Sequence, residues 1–370
     1  MMKFIHWLWN KKWQLLLWGS VFILVGYITY WAVYPNQSPY WTGFGEYTTP
    51  NGEIVPSKNL WDWLNLLIVP FVLVVGAWWL NKSEKQREQE AANRRAEFDR
   101  RLAEDKNREL ILQAYLDHMT DLLLKEGLRE SRKEDEIRSI ARAKTITVLR
   151  ILDPVRKGIL LQFLREAGLI ENEPIVNIKW ADLSRADLRK ANLVNAFLRN
   201  TNLDEALMTQ AYLFRANLGG ATFRKAILYR AKFIFANLRL AQMKEANLTE
   251  ADFTGADLSI ANLHQIRANG THFQKANLRS ADLSESNLQN ADFTEANLVM
   301  AKLINADLQD ANLTGANCRG ANLTGANLIG ANLENADLSL ANLTNAKVSA
   351  RQLAKAKSLS LAILPKFIKE

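Results

Sequence analysis

From Ala181 to Ala346 every fifth residue is a slot for a small side chain, and 30 of the 34 slots hold alanine; Thr201, Ile266, Thr271 and Ser286 are the exceptions. Two residues after each slot stands leucine (24 times), phenylalanine (5) or methionine (2), with Ala268, Cys318 and Val348 in the last three places. The residue between is usually Asn or Asp. A period of five is neither the ~3.6 residues of a helix nor the ~2 of a strand. It suits a chain that turns a corner at each step, so that four steps close a square coil of ~20 residues. The large side chain fills the axis, and the alanine points inward because only a small residue fits beside it.

The spacing of the aromatics supports the same coil. Phe233, Phe253, Phe273 and Phe293 stand 20 apart and predict a stack on one wall, with Phe223 on another. At a coil spacing of ~4.8 Å the repeats make a rod on the order of 40 Å long. Its stability comes from neighbouring coils. With its Ala-(Asp/Asn)-Leu-x-x signature over nearly half its length, the chain resembles the pentapeptide-repeat proteins. The resemblance implies a right-handed quadrilateral β-helix and says little about function. The ends of such a solenoid need covers against edge-to-edge pairing. Val176 and Ile178 read as a starter rung beneath a helical unit. Arg351 to Lys357 reads as a short closing helix, after which Leu359 and Leu364 resume the step in a shifted register before Pro365.

Upstream, 13–34 is uncharged and long enough for a transmembrane helix, and 60–80 is a second candidate with Asp62 as its one charge. Trp7, Trp9, Trp13 and Trp31 flank the first span, and Trp61, Trp63, Trp78 and Trp79 the second, as in an aromatic belt. Lys3, Lys11 and Lys12 precede the first span; Lys82, Lys85, Arg87, Arg94 and Arg95 follow the second; the 35–59 connection has only Lys58. The positive-inside rule then predicts an integral membrane protein with its N-terminus and solenoid in the cytoplasm. A cleaved signal peptide is disfavoured by the length of the first span and the absence of a small-x-small site. Thr42-Gly43-Phe44-Gly45-Glu46 looks like a channel filter but lacks room for a pore helix, and the glycines suit tight turns.

Segments of this region also resemble a set of cyanobacterial membrane proteins: Trp41-Thr42-Gly43-Phe44-Gly45-Glu46-Tyr47, Leu60-Trp61-Asp62-Trp63, Leu112-Gln113-Ala114-Tyr115-Leu116-Asp117, Ala141-Arg142-Ala143-Lys144-Thr145 and Glu166-Ala167-Gly168-Leu169-Ile170. That likeness implies a plasma or thylakoid membrane. The fold class expected is therefore two transmembrane helices and a helical linker, followed by the β-solenoid. The domains are 1–80 (anchor), 81–170 (charged stalk and small helical unit), 171–350 (solenoid) and 351–370 (cap). In the stalk, Glu90–Arg94, Glu97–Arg101 and Glu104–Arg108 are i,i+4 pairs in the favourable order. Leu110, Ile111, Tyr115, Leu116, Met119, Leu122 and Leu123 then form an apolar stripe ending near Gly127. A second helix spans about 134–152. A third opens at Asp153-Pro154, an N-cap with proline at the first helical position, and ends near Gly168.

The formal net charge is +8, yet 171–350 holds 18 Lys/Arg and 18 Asp/Glu, so the repeats are neutral and the excess lies upstream. Nucleic acid is not indicated as a partner. The single cysteine, Cys318, fills an inward leucine slot and reads as a buried, inert thiol. His6, His118, His264 and His272 have no metal-ligand spacing. No nucleophile–base pair or phosphate loop is present, so no catalytic residue, metal or cofactor is expected and the chain reads as a non-enzyme.

Stacking turns residues 20 apart into columns. Val194, Phe214 and Ile234 precede Thr254 in one; Tyr229 lies between Thr209 and Thr249 in another; Leu207 and Ile227 precede Asn247 in a third. Tyr212, Phe235 and Leu240 belong to the same early stretch. Such clustered apolar surface marks either a protein partner or a face covered by the chain's own helices. Lys179, Arg199, Arg239, Arg279 and Arg319 share a basic column: solvated edge charge, or a site for an acidic partner or anionic headgroups. The leading functional expectation is a non-catalytic membrane-tethered scaffold for protein–protein interaction. The alternatives are a channel or transporter accessory subunit, and a DNA-mimicking topoisomerase protector, which requires an acidic rod.

Overall fold

The computed structural model describes residues 46–56 and 60–366, together with Gly19, Ile23, Gly26, Tyr27, Thr29, Tyr30, Val33 and Tyr34. The chain divides into two compact units, Met1–Arg101 and Leu102–Glu370. In the first, β1 (Tyr47–Thr48) pairs antiparallel with β2 (Ile54–Val55). The glycine turn between them places Gly52 at φ 80°. Helix α1 (Leu60–Leu124) follows.

Two membrane-spanning helices are predicted from sequence, and this expectation is corrected. Among the described residues no helix is long and apolar enough to cross a membrane. The predicted span 60–80 is the opening of the 65-residue helix α1, which continues into charged sequence. The apolar run between Asn65 and Asn81 is 15 residues. That is ~22 Å of helix at ~1.5 Å per residue, short of the ~30 Å hydrocarbon core. The fold class therefore loses its transmembrane part, and the integral-membrane localisation and orientation fall with it. The predicted span 13–34 and the filter-like 42–45 lie largely or wholly outside the described residues. Farther along α1 the favourable ion pairs form: Glu90–Arg94 at 3.6 Å, Glu97–Arg101 at 2.6 Å and Glu104–Arg108 at 3.9 Å.

In the second unit α1 ends in a left-handed Gly127, with the Leu128 amide donating back to the Leu122 carbonyl at 3.0 Å, a Schellman-type stop. Helices α2 (Glu136–Ile151) and α3 (Pro154–Glu166) complete a small bundle. Leu112, Met119, Leu122, Leu149, Leu160 and Leu164 are buried in its core. Tyr115 and Thr145 share a buried hydroxyl–hydroxyl bond of 2.7 Å. Asp153 caps α3 by accepting from the Val155 and Arg156 amides. Arg156 ties α3 to α1 through Asp105 (2.7 Å) and Glu109 (2.8 Å).

The solenoid begins directly under α3. The Asp187 amide donates to the Pro154 carbonyl at 2.8 Å, and a Cβ on Gly158 would stand 2.2 Å from the Asp187 carbonyl oxygen. Only glycine permits that approach. Val176 and Ile178 are buried beneath the first coil. From there, parallel one-residue bridges join each coil to the next at a separation of 20, as in Asp182↔Asn202, Asp187↔Leu207, Asn192↔Tyr212 and Phe197↔Asn217. Four faces result. The bridging residue is always the one between the alanine and the large residue.

Nearly every face ends in a turn in which the amide after the corner donates to the inward residue's carbonyl, as Ala186 to Leu183 at 3.1 Å; the Ile266 amide instead donates to the Ser286 hydroxyl of the next coil at 3.2 Å. The second corner residue has positive φ at every step from Arg185 to Asn345, with glycine at only seven of them. Positive φ at that place alone is the signature of a type II turn. The Asn/Asp preference now has a cause. The side-chain oxygen accepts from the amide two residues on, as Asp252 from Thr254 (3.0 Å) and Asn322 from Thr324 (3.1 Å). That satisfies the corner amide locally. Some amides also form rungs between coils, as Asn202 to Asp182 at 3.0 Å and Asn327 to Asp307 at 2.8 Å.

Inside, Phe233, Phe253, Phe273 and Phe293 stack at 4.8, 5.4 and 4.9 Å, and Phe223 meets Phe233 edge-on at 6.1 Å. The far end closes with α4 (Ala350–Leu353), opened by a capping box between Ser349 and Gln352. The Gln352 amide then donates to the Leu328 and Ala331 carbonyls (2.6 and 2.8 Å), satisfying acceptors on the last coil. Ser358 and Ile363 bridge Asp337 and Asn342 at a separation of 21, one residue out of step.

Candidate interaction surface of the solenoid

The four faces are numbered by their bridging residues: the first carries Asp182, the second Asp187, the third Asn192 and the fourth Phe197. Each corner takes the number of the face before it. Val194, Phe214 and Ile234 then line the third corner, beside Phe235. The Phe214 and Phe235 rings meet edge-to-face at 5.9 Å. The Arg215 guanidinium lies over Phe214, 5.1 Å from its centroid. Tyr212 stands exposed on the third face. Tyr229 is on the second corner under Arg230 (5.0 Å), and its hydroxyl donates to Glu250 at 3.4 Å. Leu207 and Ile227 are bridged neighbours on the second face. Eight of the nine candidate residues thus lie on two adjoining faces and their corners. Leu240 does not join them, because it sits on the fourth corner.

Tyr212 (48 % exposed), Ile227 (38 %) and Phe235 (56 %) remain open to solvent. A shallow hollow beside them is lined by Lys190, Tyr212, Arg230, Lys232, Glu250 and His272. The surrounding charges are largely matched. Arg230 pairs with Glu250 at 2.6 Å and Arg185 with Glu205 at 2.9 Å. Arg189 holds the Asp187 carboxyl below the usual carboxylate range through their hydrogen bonds. On such exposed groups these pairs contribute little each.

The basic column falls on the fourth corner. Lys179 is half-buried with its ammonium 5.3 Å from the Trp180 ring, and Arg199, Arg239, Arg279 and Arg319 are exposed. The same corner holds exposed apolar residues that the sequence columns did not single out: Ile260, Met300 and Leu340 join Leu240. Their common spacing was visible in the sequence; their exposure depends on the corner geometry. Cys318 is fully buried, which pushes its thiol up to about 12. Among the described residues no cluster of His, Cys, Asp and Glu is arranged to hold a metal ion.

A four-sided parallel solenoid, with one small and one large inward residue per five-residue side, defines the class of protein. The chain belongs to the pentapeptide-repeat proteins. The family's profile, "Pentapeptide repeats", matches in eight copies, over residues 181–220, 198–228, 206–244, 226–265, 271–310 and 306–345. No curated protein matches the chain. Among solved structures it is similar to HetL, a pentapeptide repeat protein involved in heterocyst differentiation regulation in the cyanobacterium Nostoc sp. strain PCC 7120: 34 % identity, TM-score 0.27, covering 46 % of this chain and 83 % of HetL. It is also similar to Rfr23 of the cyanobacterium Cyanothece 51142, with 34 % identity and TM-score 0.24, over 31 % of this chain and 65 % of that one. QnrB1, a plasmid-mediated fluoroquinolone resistance protein, is 21 % identical with TM-score 0.24, over 50 % of this chain and 87 % of its own.

Proposed function

We propose that this chain is a non-catalytic scaffold whose solenoid mediates protein–protein interaction, and that its second and third faces hold a partner. The observation that carries this reading is the Phe214–Phe235 pair with exposed Tyr212 beside it. Exposed aromatics in a cluster are the side chains that anchor interfaces, and nothing in the core requires them there. A neutral rod does not favour the DNA-mimicking alternative, whose partner is selected by dense negative charge. The test is affinity capture from extract of the source cells with the native chain and the Phe214→Asp/Phe235→Asp variant. A partner retained by the first and lost by the second, with the circular dichroism of both alike, supports the reading. The same retained set from both refutes it.

A further inference from the structure

The second corner residue is left-handed at every step, a conformation that L side chains other than Asn and Asp adopt at a cost. On the first three corners this place is polar or glycine throughout, with Phe235 the one exception. The fourth corner differs. It carries Trp180, Leu240, Ile260, Met300 and Leu340, with φ between 58° and 71°, interrupted by Asn200, Gly220, Ser280 and Gly320. All five side chains are 45–66 % exposed. Ile260 is β-branched, the worst case for positive φ. Strain of this kind is ordinarily offset by burial, and here burial is small.

Beside this apolar row runs the row of first corner residues. Arg199, Arg239, Arg279 and Arg319 alternate there with Gly219, Ser259, Val299 and Ser339. Elsewhere on the solenoid Arg185, Arg189, Arg224 and Arg230 each have a carboxylate partner, whereas Arg215, which lies over Phe214, and Arg267 have none among the described residues. The four arginines of this corner form no ion pair among the described residues. Arg319 acts on Asp337 only as a minor, through-space influence behind the Ser339 hydrogen bonds. Arginines in the row are two coils apart, ~9.6 Å at the β spacing. Seven residues of an α-helix advance ~10.5 Å. Across three intervals the mismatch is about 3 Å, within the reach of flexible arginine and glutamate side chains.

We infer that the fourth corner is a docking edge for an acidic amphipathic helix of a partner protein. The helix would lay acidic side chains, repeated every seven residues, along the arginine row and an adjoining apolar stripe along Leu240, Ile260 and Met300. Charge complementarity selects this occupant over a second copy of the chain, which would set arginine against arginine if the corners met. The edge is distinct from the aromatic cluster of the proposed function and does not depend on it.

The probe is a labelled synthetic helix of about 28 residues, four copies of the seven-residue repeat. It carries glutamate at each seventh position and leucine on the neighbouring stripe, and is titrated against the full chain by fluorescence anisotropy. Saturable binding is expected, weakened at least about tenfold by Arg239→Ala/Arg279→Ala and by Leu240→Asn/Ile260→Asn, and reduced by added salt. Asparagine accepts the left-handed corner, so the second variant keeps the fold, which circular dichroism checks. Phe235→Asp should leave binding unchanged, which separates this edge from the aromatic cluster. The inference is overturned by absence of saturable binding, by equal binding to the arginine variant, or by equal binding of a lysine-for-glutamate probe. Sedimentation showing self-association lost in Leu240→Asn/Ile260→Asn also overturns it, as does preferential binding of a duplex DNA probe.

Discussion

The Phe235 ring covers Gly255 of the next coil: a Cβ built on Gly255 would stand 2.5 Å from two of its ring carbons. The glycine thus does two things, supplying φ 64° at the corner and leaving room for the ring that reaches Phe214. Gly255→Ala should push the ring off its seat, break the edge-to-face contact and strain the corner. The expected destabilisation is about 1 kcal/mol or more. Denaturant melts measure it, and weakened capture of any partner held by the aromatic cluster should accompany it.

The phenylalanine stack runs along one wall of the core. Phe253 is fully buried between Phe233 and Phe273. Phe253→Ala should cost about 3–5 kcal/mol, since it removes a buried ring and leaves a cavity that rigid coils cannot close. Phe253→Leu, the residue of most other slots, should cost substantially less. Urea unfolding of both variants tests the ordering.

Ile260 makes the opposite prediction. It stands at φ 60° and 45 % exposed. Ile260→Asn should stabilise the chain by about 1 kcal/mol, because asparagine tolerates the left-handed region and little burial is lost. An increase in the urea midpoint at unchanged slope is the expected result; a decrease would mean that the isoleucine packs more strongly than its exposure implies.

Cys318 has a thiol raised to about 12 by burial, with a smaller effect of Asp337. It should resist iodoacetamide at pH 8 in the folded chain and react fully in denaturant, because the thiolate is the nucleophile. Labelling rate under native conditions then reports opening of the coil around it. Rapid labelling without denaturant would contradict its enclosure.

Stability should decline in acid. Ser339, through its hydroxyl and then its amide, holds the Asp337 carboxyl below the ordinary carboxylate range, and Arg189 does so for Asp187. Carboxyl groups depressed in the folded state contribute stability that is fully present above the unfolded pKa of about 3.9 and is lost as pH falls through the folded value. The melting temperature should therefore be flat from neutrality to about pH 5 and fall below about pH 4. Asp337→Asn, which keeps an oxygen acceptor, should lower neutral stability slightly and flatten the acid slope.

The period of five was enough to place the alanines, the large residues and the phenylalanine wall, because an inward slot admits few side chains. The role of Asn and Asp was not legible, since it depends on an amide two residues away that only the turn brings within reach. Leu240 and Phe235 are neighbours in sequence, but five residues in this fold are a quarter turn, and the two lie on different corners. Trp61, Trp63, Trp78 and Trp79 bracket 60–80 as an aromatic belt would, but the apolar run between Asn65 and Asn81 is too short to span a bilayer. Tyr115, Met119 and Leu122 of the helical stripe and the Asp153-Pro154 start were readable because helix periodicity and capping are local, whereas Leu110 is exposed and Leu112 takes the buried place at the start of the stripe.

The bridges at a separation of 20 fix a further property, which concerns insertions and deletions. Removing five residues from the repeats would index everything downstream by one side, presenting each surface row on a new flank. Removing twenty would return every row to its flank but put glycine, serine or valine where arginine had stood on the fourth corner. Only a forty-residue excision leaves that edge in phase. Length variation in relatives should therefore fall in steps of forty wherever the arginine edge is used, and in steps of twenty where it is not.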